Sequence, residues 1–237
     1  EIEEEKGIRK YGKSKEHRPN PIVQFGLFLD GNGLPLAFTV FPGNENEQPT
    51  LIPMEKKIIN DFSLAKFIIC TDAGLASTAN RRFNDVADRS FIVTQSVKKM
   101  KGHLQEWALN PEGWSLGSDG REYDISQIDE EVHKNSVFHK ERWMKEDNFE
   151  QRLIVSYSPR YKHYQQQIRE RQIDRAINII ESGSGSKTRN PNSPTRFIEE
   201  TQITMDGVVA DKTVTSLNEE KIIEEAKYDG FTAVCTT

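Results

Sequence analysis

Cysteine and long apolar runs are scarce in this chain of 237 residues. Its only two cysteines, Cys70 and Cys235, lie inside apolar runs, which excludes a disulfide scaffold or cysteine-rich zinc site and favours a reducing compartment. No stretch approaches the roughly 20 consecutive apolar residues of a membrane-spanning helix, and no charged-then-apolar leader opens the sequence. These absences predict a cytoplasmic protein with no membrane partner, built as one large domain or two small ones.

Charge of one sign does not dominate, because the formal net charge is only −5. The charged residues are, however, unevenly distributed along the chain. Residues 6–18 and 140–196 each carry a net charge of +5, whereas 19–139 carry −5 and 197–237 carry −6. The overall sign argues against a uniformly basic DNA-coating protein. The two basic segments predict local contacts with a polyanion, and a solvated surface is the alternative.

The first hundred residues alternate between strand and helix patterns. Strands over 22–29 and 34–41 flank the turn sequence Asp30-Gly31-Asn32-Gly33, which predicts a β-hairpin. Apolar spacing then predicts a helix over 49–62, a strand buried on both faces over 66–71, a helix over 77–88 and a second buried strand over 90–95. This order predicts a mixed sheet covered by helices, which is an α/β fold.

The alternation of strand and helix patterns ends near Lys98, which predicts a domain boundary there, with one domain over 1–97 and a second over 98–237. Residues 106–123 are rich in turn formers, and 136–145 and 152–156 read as a second hairpin. The longest helix is predicted over 159–180, with an apolar stripe that begins at Tyr161 and Tyr164. Three further strands are predicted over 196–205, 212–217 and 231–236, and a helix is predicted over 218–226.

Asp72 is the sharpest candidate for chemistry. It directly follows the apolar strand over 66–71, and open α/β sheets bind their ligands at the carboxyl ends of their strands. A carboxylate there can bind a hard divalent cation. The alternative is a structural aspartate that caps a turn or helix.

Two groups of basic side chains are candidates for phosphate contacts, because Arg and Lys are the usual partners of phosphate oxygens. One group precedes the first strand and the other lies on the long helix: Lys13, Lys15, His17 and Arg18, and Arg160, Lys162, Arg169 and Arg171. A solvated surface is the alternative for both groups. Trp107, Trp114 and Trp143 are candidates for stacking on an unpaired base, or for core packing.

Several segments together resemble the DDE-type transposases of bacterial insertion sequences. These are GKSKEHRPNPIVQFGLFLDGNGLPLAFTVFPGNENE, then IICTDAG about thirty residues later, and further on YSPRYKHYQQQIRERQIDRA and EEAKYDGFTAV. The closest resemblance is to the group whose RNase H-like core is interrupted by a long β-rich insertion. It implies an incomplete three-layer RNase H-like core in the first domain and an α+β insertion in the second.

The resemblance implies a DNA transposase in which three carboxylates hold two Mg²⁺ or Mn²⁺ ions for phosphodiester cleavage and strand transfer. Asp72 matches the second acid, which would make it both a catalytic residue and a metal ligand. The implied partners are double-stranded DNA, as transposon ends and target, and a second copy of the enzyme.

The other two acids of that pattern are expected before Glu1 and after Thr237. We therefore expect this chain to be an internal fragment that is inactive alone. The alternative is a non-catalytic DNA-binding or interaction module derived from such an enzyme, and an unrelated globular binding domain is a third possibility.

Overall fold

The computed structural model describes residues 4–14, 19–117, 119–146, 148–183, 192–203 and 212–237. The chain divides into two compact units. Unit 1 comprises Glu1–Gln95, Trp143–Arg152 and Val234–Thr237, and unit 2 comprises Ser96–Arg142 and Leu153–Ala233. Within the described ranges, no helix is long and apolar enough to cross a membrane.

Helices and strands are interspersed along the chain. The first six elements are β1 (Val23–Leu29), β2 (Pro35–Pro42), α1 (Leu51–Phe62), β3 (Phe67–Thr71), α2 (Thr78–Phe83) and β4 (Arg89–Gln95). The next six are α3 (Gly102–Leu109), β5 (Trp114–Leu116), β6 (Glu122–Tyr123), β7 (Phe138–Glu146), β8 (Phe149–Tyr157) and α4 (Pro159–Ser182). The last four are β9 (Ile198–Ile203), β10 (Lys212–Leu217), α5 (Glu219–Ala226) and β11 (Phe231–Thr236).

Both units contain sheet, and three strands, β7, β8 and β11, contribute residues to each unit. In unit 1 the strand order is β3-β4-β11-β8-β7, and in unit 2 it is β11-β8-β7-β5-β6, beside a separate β9–β10 pair. Strands β3 and β4 are parallel, whereas β5 pairs antiparallel with β6 and β7. The predicted mixed sheet of an α/β protein is therefore confirmed.

The predicted hairpin is formed by β1 and β2, which pair antiparallel from Val23 opposite Pro42 to Phe28 opposite Ala37. Its turn is stabilised by the Asp30 carboxylate, whose Oδ1 accepts the backbone N–H groups of Asn32 (2.9 Å) and Leu34 (2.8 Å). Gly33 supplies the positive φ (82°) that this turn requires.

One face of the hairpin is apolar and exposed. The phenyl rings of Phe25 and Phe38 stack across the strands with centroids 5.6 Å apart, yet the two residues are 60% and 65% exposed. On the other face Gly26 approaches α1, where a Cβ at position 26 would lie 3.7 Å from the Met54 sulfur. The hairpin therefore covers α1 with one face and leaves the other face open.

The prediction that β3 and β4 are buried on both faces is wrong. Phe91 and Val93 of β4 are buried, but Ile92 between them is 38% exposed, and Ile68 of β3 is 62% exposed. The register places Ile68, Cys70 and Ile92 on one face of the parallel pair. That face is exposed, whereas the face that carries Phe91 and Val93 is buried, so the pair is covered on one side only. A run of apolar β-branched residues therefore does not by itself show that both faces of a strand are buried.

A buried polar cluster joins α1 to the end of α2. The Asn84 Nδ2 group donates to both carboxylate oxygens of Glu55 (3.0 Å each), and both residues are only 1% exposed. The helix predicted over 77–88 ends earlier, at Phe83, because the Asn84 side chain turns back to these partners and to the Asn80 carbonyl (3.1 Å).

Unit 2 contains a helix that the sequence pattern did not predict. The turn formers over 106–123 indicate irregular structure, but α3 extends from Gly102 to Leu109 and overlaps the start of this segment. Leu104 and Ala108 are four residues apart and buried, so they form a one-sided apolar face. Polar residues around them hide this short periodicity in the sequence.

The long helix α4 spans Pro159–Ser182, close to the predicted 159–180, but the predicted apolar stripe is only partly buried. Ala176 is fully buried, whereas Tyr161, Tyr164 and Ile168 near the N-terminus are 37%, 57% and 37% exposed. The first half of α4 therefore presents an apolar, aromatic surface.

Candidate functional site

Asp72 lies directly after β3, at its carboxyl end, and is exposed. Its backbone is extended (φ −79°, ψ 176°), so the chain leaves the strand without reversing. The register of the parallel pair places Thr71, the last residue of β3, opposite Val93 of β4. Asp72 therefore occupies the sheet edge at which α/β proteins bind ligands.

The Asp72 carboxylate also has a structural role. Its Oδ1 accepts the backbone N–H of Gly74 (2.9 Å), so it caps the short 3-10 turn over Ala73–Leu75. A Cβ at position 74 would lie 3.0 Å from this oxygen, so a larger residue there would require a small shift of the Asp72 side chain. The capping role that the sequence allowed is thus observed, and the catalytic role stays a prediction.

The segment after Asp72 is held by side chains of α2. The Asn80 Nδ2 group donates to the carbonyl oxygens of Leu75 (2.9 Å) and Gln48 (3.0 Å). Arg81 donates through Nε to the Ala76 carbonyl (3.0 Å) and through Nη1 to Gln151 (2.8 Å). These bonds fix the backbone that follows the carboxylate.

A divalent-metal site requires more than Asp72 offers. Such sites normally combine carboxylates with waters and substrate phosphates. Among the residues that the structure describes, no group of three or more His, Cys, Asp or Glu side chains is placed to hold a metal ion. These residues alone therefore do not form the complete two-metal centre that the resemblance implies.

The basic segment before β1 is partly described. Lys13 is exposed and borders a groove of about 660 Å³ along β1, whose wall also includes Arg9 and Leu75. Reciprocal backbone hydrogen bonds join Lys10 of this segment to Ile22, the residue directly before β1 (3.0 and 2.8 Å). The other three candidates of this segment, Lys15, His17 and Arg18, lie outside the described residues.

Two of the four candidates on α4 form ion pairs within unit 2. Lys162 Nζ lies 2.6 Å from Glu130, and this hydrogen bond lowers the pKa of Glu130. Arg169 forms a two-pronged pair with Asp229, and both side chains are largely buried. The carboxylate raises the pKa of Arg169 still further.

The other two candidates on α4, Arg160 and Arg171, are exposed. Their guanidinium groups can reach an external phosphate without breaking the pairs just described.

The tryptophan candidates differ in exposure. Trp114 is fully buried, and its indole N–H donates to the Asn110 carbonyl (2.9 Å), so it packs the core of unit 2. Trp107 is half-buried, and Trp143 is 63% exposed.

Lys140 is 7% exposed, although no motif in the sequence marks it as a site residue. Its Nζ lies 4.5 Å from the ring centroid of Trp114 and 5.1 Å from that of Trp107, and it donates to the Asn110 carbonyl (2.8 Å). Burial lowers its pKa to about 8. The signal in the sequence was the alternation of β7, which places residue 140 on the same face as buried Phe138.

Comparison of the chain with protein-family models, with curated proteins and with solved structures finds no match.

Proposed function

We propose that this chain is part of the catalytic domain of a DDE-type insertion-sequence transposase, with an RNase H-like core interrupted by a β-rich insertion. The observation that supports the proposal is the exposed Asp72 at the carboxyl end of a parallel strand. It follows an antiparallel hairpin, in the order of the sequence segments that carry the resemblance.

In this proposal the complete enzyme cleaves phosphodiester bonds and transfers DNA strands. Asp72 supplies one of three carboxylates, and the other two come from outside these 237 residues. Lys13 and the exposed arginines Arg160 and Arg171 contribute contacts to DNA phosphates, which position the DNA without reading its bases. The chain by itself is therefore proposed to bind DNA but not to cleave it.

The genomic DNA on both sides of the coding segment provides the first test. We expect an in-frame strand with an aspartate upstream, a helix with a glutamate downstream, and inverted repeats beyond them. In the complete protein, Asp72→Asn should abolish end cleavage and leave DNA affinity unchanged. Cleavage that survives this substitution would contradict the role of Asp72.

A salt titration of duplex binding tests the basic segment. Each neutralised phosphate contributes about −0.9 to the slope of log affinity against log salt. Replacing Lys13, Lys15 and Arg18 together with alanine should therefore flatten the slope by roughly 2–3 units. The matched control replaces three exposed lysines of unit 1 outside this segment: Lys56, Lys57 and Lys66. Equal slopes for both triple variants would remove the segment from the DNA interface.

A second candidate is a non-catalytic interaction module derived from such an enzyme. The exposed apolar face of the hairpin favours it, because exposed apolar patches of this kind mark protein contacts. The two candidates are separated by the Asp72→Asn variant of the complete protein, since only an enzyme loses its activity there.

A further inference from the structure

The N-terminal half of α4 carries two stacked tyrosines. The ring centroids of Tyr161 and Tyr164 are 6.2 Å apart and their planes are inclined by 22°. Ile168 extends this surface by one turn, and all three side chains are more than a third exposed. Aromatic rings that are both exposed and aligned form a platform on which a planar ligand can stack.

The platform forms one wall of a cleft of about 770 Å³ within unit 2. Four cationic side chains and two carboxylates line the cleft, so its charge is positive: Lys98, Lys99, Arg169, Arg196, Glu225 and Asp229. The deeper charges are already paired, because Arg169 binds Asp229 and Arg196 lies 3.2 Å from Glu225.

The two lysines lie at the outer part of this charge distribution. Lys99 is exposed, and Lys98 is 42% exposed while its Nζ lies 3.6 Å from Glu225. Glu225 is thus shared between Arg196 and Lys98, and Arg169 is paired with Asp229. The four cations and two carboxylates leave the cleft with a surplus of positive charge, which is available to an anion that enters it.

We propose that this cleft binds unpaired nucleotides of single-stranded DNA, with bases stacked on Tyr161 and Tyr164 and phosphates near Lys98 and Lys99. An aromatic platform beside cations matches a ligand that combines a planar apolar ring with a regularly spaced negative charge. Double-stranded DNA does not use the platform, because its bases are stacked inside the duplex. The inference rests on the proposed function, since a DNA-processing enzyme exposes unpaired strands.

Binding of fluorescent oligo(dT) to the 237-residue chain, followed by anisotropy, tests the platform. Stacking on one aromatic side chain is worth about 1–3 kcal/mol per base, so Tyr164→Ala should weaken oligo(dT) binding by about 5-fold to 150-fold. Tyr164→Phe should retain the affinity, because stacking uses the ring and not the hydroxyl. The matched control is Gln167→Ala, at an exposed position of the same helix.

Two further measurements separate this inference from the proposed function. Tyr164→Ala should leave duplex affinity unchanged, and Lys99→Ala should flatten the single-strand salt slope by about 0.7. Duplex binding with equal oligo(dT) affinity in wild type and Tyr164→Ala would overturn the inference and leave the proposed function standing. A chain that binds neither DNA form would overturn both. A dimer that dissociates on Tyr164→Ala, with oligo(dT) binding unchanged, would assign the platform to a second copy and also overturn the inference.

Discussion

Replacing Glu55 with glutamine should remove a large part of the pH dependence of folding between about pH 5 and pH 7. Glu55 lies on α1, is 1% exposed, and receives two hydrogen bonds from Asn84. Burial raises the pKa of Glu55 from 4.5 to about 7, although the hydrogen bonds from Asn84 and the charge of Arg89 act in the opposite direction.

The sign of the effect follows from proton binding. The folded state holds the Glu55 proton up to about pH 7, whereas the unfolded chain releases it near pH 4.5. The free energy of unfolding is therefore highest below the unfolded pKa and decreases as the pH rises through the folded pKa. A pKa difference of this size corresponds to about 3 kcal/mol, at 1.36 kcal/mol per pKa unit.

Urea denaturation at several pH values measures this directly. The wild-type free energy of unfolding should fall by about 3 kcal/mol across the interval, and Glu55→Gln should remove that fall. A glutamine amide can also donate to Asn84 Oδ1, which is buried without a hydrogen-bond partner. Asp61→Asn, an exposed position on the same helix, is the control for loss of one negative charge. A Glu55→Gln curve parallel to wild type would refute the reasoning.

Three further substitutions test other parts of the structure. In the wild type, Lys140 should make the free energy of unfolding rise between about pH 8 and pH 10.5, because its lowered pKa means that the folded state binds fewer protons than the unfolded state. Lys140→Met should abolish this rise, as measured by urea denaturation at several pH values. Arg169→Ala should destabilise the protein by about 3–5 kcal/mol in the same assay, because it leaves Asp229 buried without its partner, and a loss near zero would contradict the pair. Asp72→Ala should lower the free energy of unfolding by about 1 kcal/mol, whereas Asp72→Asn should preserve the cap. Equal unfolding curves for the two variants would show that the cap does not contribute to stability.

The elements predicted well from the sequence are those whose signals are local. The hairpin depends on the turn from Asp30 to Gly33 and on alternation within about 20 residues, so adjacent residues specify it. The strand before Asp72 and the helix after Pro159 are likewise found within a few residues of their predicted bounds. The turn-capping alternative for Asp72 could also be read locally, because its partner is two residues away.

What the sequence left open depends on partners that are distant along the chain. Lys162 and Arg169 read as surface cations, but the fold brings Glu130 and Asp229 to them across 32 and 60 residues. From the sequence, Glu55 is an ordinary acidic residue of a helix, but in the fold it is buried and accepts hydrogen bonds from Asn84, which lies 29 residues later. Charge, periodicity and turn chemistry act between neighbours and therefore appear in the sequence. Burial and ion pairing are decided by which elements meet, and for these residues only the tertiary structure determined the environment.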